Sequence, residues 1–232
     1  MSDRNPGKNR KAQSRHPRES RLKKLVRDHW LTISVILVVL LAAGGYTFWP
    51  RSAPSGVSSA RLEENPSIGP SNAPVTIVEY GDFGCTTCRA WFNAGVQEQV
   101  LAAYGDQVRF VWKDFPIITA QSPKAAEAGQ CAFDQGKFWP YHDLLYQRAP
   151  ALSISDLKSY AAQLGLDTAE FNQCLDSGRY QAKINQSLQE AYQRGFQGTP
   201  SFLVNDQPLA GPPSFETLKN FIDPILAANK NG

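Results

Sequence analysis

Histidine and cysteine are scarce in this chain of 232 residues, with three of the first and four of the second. His16 and His29 fall in the N-terminal stretch, leaving His142, Cys85, Cys88, Cys131 and Cys174 as the nitrogen and sulfur ligands of the remainder. A tetrahedral metal site needs four such groups at suitable spacing, and only Cys85 and Cys88 stand close enough to form half of one. The pattern argues against a metal centre. Large apolar side chains are almost missing before Leu22, so the first residues cannot build a core. The net charge of +3 hides an asymmetry: residues 1–29 hold ten Lys/Arg and three Asp/Glu, net +7, leaving fourteen against eighteen, net −4. Positive charge confined to a tail, and not spread on a folded face, excludes nucleic acid as a partner.

Charge is absent altogether from residues 30–49, WLTISVILVVLLAAGGYTFW. Twenty uncharged residues at 1.5 Å each span the roughly 30 Å hydrocarbon core, so this stretch reads as one transmembrane helix. Trp30 at one end and Tyr46, Phe48 and Trp49 at the other suit the two interfaces, and the basic tail places the N-terminus in the cytoplasm. A cleaved signal peptide is the alternative, with Ala42, Ala43 and Gly44 as a weak cleavage site. Residues 50–72, rich in Pro, Ser, Gly and Asn, have the composition of a flexible linker without fixed structure.

The folded domain is expected over 73–228. Val75 to Tyr80 reads as a strand ended by Gly81-Asp82, Arg89 to Tyr104 as a helix stopped at Gly105, and Val108 to Trp112 as a second, parallel strand. Residues 117–196 are helical throughout, with Ser122-Pro123, Ser155 and Asp167 as helix starts and Gly165, Gly178 and Gly195 as stops. Ser201 to Val204, the turn Asn205-Asp206 and Gln207 to Ala210 form a hairpin. Ser214 caps a last helix to about Ala228. No internal repeat is present.

Cys85-Thr86-Thr87-Cys88 follows a strand and opens a helix, the context in which C-x-x-C acts as a redox couple. At the helix start the Cys85 sulfur faces unpaired N–H groups and the positive end of the dipole, which favour thiolate. Cys85 is thus the nucleophile, and Cys88, nearly one turn on, resolves the mixed disulfide. Glu79 shares a strand face with Val75 and Ile77; burial there would raise its pKa and let it take and return the Cys88 proton. The alternative is an exposed Glu on an edge strand. Cys131 and Cys174, an even leftover pair, read as a structural disulfide in an oxidising compartment, with two buried free thiols as the alternative. The aromatic cluster Phe133, Phe138, Trp139 and Tyr141 reads as core rather than a substrate groove. Alone, Thr199-Pro200 is an ordinary trans turn, since about 5–6% of X-Pro bonds are cis in folded proteins.

Four segments change that last point. VEYGDFGCTTC at 78–88, VRFVWKDFP at 108–116, QGKFWPYHDLLY at 135–146 and GTPSFLVN at 198–205 together resemble the DsbA-like branch of the thioredoxins, including membrane-tethered bacterial BdbD-type oxidases. The resemblance covers residues 73 to about 228. It implies an α/β thioredoxin fold, with an all-helical insertion between its βαβ and ββα halves. It further implies an attacking Cys85, a resolving Cys88, a proton-relaying Glu79 and a cis Pro200 beside the disulfide. The Thr199 backbone would pair with an extended substrate peptide. No cofactor is expected beyond the Cys85/Cys88 disulfide itself. Implied partners are reduced, unfolded secreted proteins and a quinone-linked membrane reoxidase, and a monomer is expected. The chain would form disulfides from the outer side of a bacterial cell membrane. One departure bears on direction: such oxidases usually carry Pro-His or Pro-Tyr between the cysteines, and here Thr86 and Thr87 stand there. A reductase or isomerase, and a non-catalytic binding or chaperone module, remain alternatives.

Overall fold

The computed structural model of the protein describes residues 65–209 and 211–230. The basic tail and the expected membrane span at 30–49 lie outside the described residues, as does most of the expected linker. Among the described residues, no helix is long and apolar enough to cross a membrane.

Five strands form one sheet in the order β1-β3-β2-β4-β5. β2 (Val75–Gly81) and β3 (Val108–Asp114) are its centre, paired in parallel from Val75 opposite Val108 to Gly81 opposite Asp114. Parallel strands need a crossover, and here it is a broken helix, α1 (Thr86–Asn93) and α2 (Val96–Tyr104). The single helix expected from Arg89 to Tyr104 is interrupted at Ala94-Gly95, where Gly95 takes φ +63°, a left-handed conformation that ends one helix before the next begins.

β4 (Ser201–Val204) pairs antiparallel with β2, placing Phe202 opposite Glu79, and β5 (Gln207–Leu209) closes the hairpin. Asn205 and Asp206 both have positive φ, as a tight two-residue turn requires, and these are the side chains that tolerate it best.

Between β3 and β4 run five helices: α3 (Ser122–Asp134), α4 (Phe138–Arg148), α5 (Ile154–Gln163), α6 (Thr168–Ser177) and α7 (Gln181–Gln193). Two starts differ from expectation by local chemistry. Gln121, not Ser122, precedes α3, and Ser153, not Ser155, caps α5 through a capping box with Asp156. Helix α8 (Phe215–Lys230) closes the chain, with Ser214 Oγ accepting from Thr217 N at 3.1 Å.

The sheet is covered on both faces. Val75, Ile77, Val108 and Phe110 pack with Val96 and Val100 of α2 and Leu218 and Ile222 of α8. On the other face Tyr80 and Leu203 pack with Ala191 of α7 and Phe196. A third cluster runs from Phe83 and the cysteine pair into the helical insertion, where Phe138 and Tyr141 are core.

The end of the expected linker is ordered, which corrects that expectation. β1 (Ser67–Ile68) pairs antiparallel with β3, and Pro66 O accepts Trp112 N at 2.9 Å. Composition missed it because edge pairing uses backbone groups, which any residue supplies. Gly69 makes the approach feasible: a Cβ there would stand 2.3 Å from Val108 O.

Candidate active site

β2 delivers the chain through Gly81-Asp82-Phe83-Gly84 to Cys85, and each residue of this turn has a structural duty. A Cβ on Gly81 would meet the Trp112 ring at 2.2 Å, and one on Gly84 would meet Ser122 Oγ at 2.7 Å and Thr119 Oγ1 at 2.8 Å. Asp82, 1% exposed, accepts from Gly84 N at 2.7 Å with one oxygen and from Ile117 N and Ile118 N, at 2.8 and 2.7 Å, with the other. It therefore ties the turn before Cys85 to the loop after β3. Phe83 stacks on Trp112, centroids 4.9 Å apart, and forms the aromatic floor of the site with Tyr146 and His142.

Cys85 is the N-cap residue of α1, in extended conformation, and its sulfur accepts from Cys88 N at 3.3 Å. A cap is where the helix leaves backbone donors unpaired, so a sulfur there receives N–H groups as a carboxylate would. The Cys88 thiol, together with the backbone N–H groups of Cys88 and Thr87, draws the Cys85 pKa from 9 down to about 5, against the opposing effect of burial. When protonated, Cys85 donates to Thr199 O at 3.2 Å. Cys88 is fully buried, and burial, then its hydrogen bond to Cys85, pushes its pKa far upward. The proton thus stays on Cys88 while Cys85 carries the charge.

Glu79 lies under this pair. It is 6% exposed, and burial, reinforced by the charge on Cys85, raises its carboxyl from 4.5 to about 8. The strand register explains its place: Trp112 of β3 flanks it on one side and Phe202 of β4 on the other. The Thr199-Pro200 peptide is cis. Cys85, Cys88, Glu79, Thr199 and Pro200 are therefore brought together, from β2, α1 and the start of β4. Cys131 and Cys174 are bonded to each other, Cα atoms 5.9 Å apart, and join α3 to α6 within the helical insertion.

Sequence reasoning missed Asp82, Trp112 and Tyr146. Asp82 had a signal, an Asp two residues before Gly84, the spacing at which its side chain caps a backbone N–H. Trp112 and Tyr146 carried no local signal beyond their place in a strand and in an aromatic-rich segment. Among the described residues, no three His, Cys, Asp or Glu side chains converge to hold a metal ion. The redox group on offer is the cysteine pair.

Residues 61–224 match the Thioredoxin_4 family, described as thioredoxin. The chain belongs to the thioredoxin family. Among solved structures, this thioredoxin-family chain is similar to oxidised BdbD from Bacillus subtilis, with TM-score 0.65 and 22% identity, covering 70% of this chain and 93% of that one. It is also similar to a thioredoxin-like oxidoreductase from Silicibacter pomeroyi, with TM-score 0.62 and 27% identity, covering 76% and 99%. A curated relative, named Na(+)/H(+) antiporter NhaA 3 of Salinispora tropica, is 39% identical over 152 residues. Those residues are 65% of this chain and 23% of the antiporter, so the chain spans about a quarter of that protein's length.

Proposed function

We propose that this thioredoxin-family thiol–disulfide oxidoreductase is an oxidase that forms disulfides in exported proteins through Cys85 and Cys88. The observation that carries the direction is the Cys85 sulfur at the start of α1, accepting from Cys88 N at 3.3 Å, which favours thiolate and holds the thiol near pKa 5. Stabilising the thiolate stabilises the reduced protein, and a stabilised reduced form makes the disulfide a stronger oxidant. After discounting for solvent at the sulfur, the effect at pH 7 is about 1–2 kcal/mol, or about 20–40 mV toward oxidation.

In the forward cycle a substrate thiolate attacks Cys85 Sγ and expels Cys88. A second substrate thiolate then attacks the mixed disulfide, its own disulfide forms, and Cys85 leaves as a thiolate. Two electrons pass from substrate to the pair. Glu79, protonated up to about pH 8, gives Cys88 its proton and takes it back on reoxidation, a role its raised pKa supports. The Thr199 carbonyl, 3.2 Å from Cys85 Sγ, offers an extended peptide a backbone acceptor beside the attacked sulfur. The substrates are reduced, unfolded secreted proteins. Electrons leave through a quinone-linked membrane reoxidase, and residues 30–49 tether a monomeric enzyme with its catalytic domain outside the cytoplasm.

Equilibration with glutathione tests the direction. A potential above about −200 mV is expected, and one below about −250 mV would make the chain a reductase. Cys85→Ser should abolish oxidative refolding of a reduced test protein; an unchanged rate would leave only a binding module.

A further inference from the structure

One buried polar group at the redox pair has no part in the cycle above. Tyr146 of α4 is 1% exposed, and its ring lies 5.3 Å from Phe83, 5.3 Å from Phe92 and 4.9 Å from His142. Phe92 follows Cys88 by four residues on α1, so the two share a helix face, and Tyr146 packs along the face that carries the resolving sulfur. Among the described residues the hydroxyl meets one distant acceptor, Asp82 O at 3.5 Å, a carbonyl that also accepts from Cys85 N at 3.0 Å. Cys85, held by that carbonyl, accepts with its sulfur from Cys88 N at 3.3 Å, and Tyr146 and Cys88 belong to one buried cluster. Phenylalanine would fill the same aromatic nest without burying a hydroxyl on so weak a partner.

We propose that the Tyr146 hydroxyl is the hydrogen-bond donor that receives the Cys88 sulfur when the Cys85–Cys88 disulfide opens. This rests on Cys85 being the sulfur that substrates attack. As the substrate sulfur bonds to Cys85 Sγ, the Cys85–Cys88 bond breaks and its electron pair departs on Cys88. That anion forms in a fully buried place, where an unsupported charge is costly. Tyr146 keeps its own proton and shares it with the departing sulfur until Glu79 delivers one. Burial first, then charge on Cys88 and Glu79, keeps the phenol protonated well beyond its ordinary range, so it remains a donor at every working pH.

The test is stopped-flow reduction of the oxidised protein by a cysteine-containing peptide, comparing wild type with Tyr146→Phe. Loss of a hydrogen bond to an ionised sulfur should slow this step about 10-fold. A second pair separates this from packing. In Cys88→Ala proteins no sulfur departs from position 88, so attack by Cys85 on an aromatic disulfide should proceed at the same rate with and without the added Tyr146→Phe substitution. Melting temperature should not fall in Tyr146→Phe. A Tyr146→Phe protein as fast as wild type overturns the proposal, and so does equal slowing in the Cys88→Ala background. If wild type itself fails to exchange, the oxidoreductase assignment falls instead.

Discussion

Replacing Glu79 with Gln should alter how stability depends on pH, in a manner that differs between the two redox forms. The carboxyl has its ordinary value of 4.5 in the unfolded chain and about 8 in its buried place. Because the folded value is the higher one, its contribution is fully present below pH 4.5 and is lost as pH rises to about 8. At about 1.4 kcal/mol per pH unit, that loss reaches about 5 kcal/mol. Cys85 runs the other way in the reduced protein: lowered from 9 to about 5, it contributes stability above pH 9 that disappears as pH falls to about 5. Between pH 5 and 8 the two slopes oppose, so reduced wild type should lose less stability than oxidised wild type, in which Cys85 does not titrate. Urea unfolding at unit pH steps from 5 to 8, read as the difference between variant and wild type, cancels the other titrations. In the reduced form the advantage of Glu79→Gln should widen by about 4 kcal/mol from pH 5 to 8. It should widen less in the oxidised form, where the Cys85 charge is gone. A difference that stays constant across pH would refute the buried, proton-holding carboxyl.

Three further outcomes can be checked directly. The ultraviolet absorbance of the thiolate should titrate near pH 5 in wild type and at higher pH in Cys88→Ala, because the Cys88 thiol contributes most to lowering the Cys85 value. Replacing Cys131 and Cys174 by Ala should cost about 4 kcal/mol in urea unfolding, from the entropy of a loop whose ends are 43 residues apart, with the Cys85 thiolate titration unmoved. Gly81→Ala should lower stability by about 1–3 kcal/mol and shift tryptophan fluorescence, since the added methyl falls 2.2 Å from the Trp112 ring.

Elements fixed by nearby residues were legible in the sequence. C-x-x-C after an apolar run, Asp167 and Gly178 bracketing α6, and Asn205-Asp206 between two short strands all owe their structure to neighbours a few residues away. β1 was invisible because its two residues are fixed by the backbone of β3, some 42 residues distant. Asp82 is a similar case: two of its three backbone partners, Ile117 and Ile118, are 35 and 36 residues away. Glu79 was legible from the strand face it shares with Val75 and Ile77 and from the C-x-x-C that follows, and the register of β2 between β3 and β4 accounts for the burial.

The pairing of β2 with β4 carries a kinetic consequence. Ile77 and Val204 are neighbours across the sheet, and Cys85 meets Thr199 at a separation of 114 residues. Contacts that long are the slowest to close, while β2, α1, α2 and β3 form from nearby sequence. The attacking cysteine should therefore stand on a folded βαβ unit before the segment that flanks it arrives. During refolding, Cys85 should accept alkylating reagents in a window that shuts as β4 docks, so the site is completed by the last of the sheet to assemble.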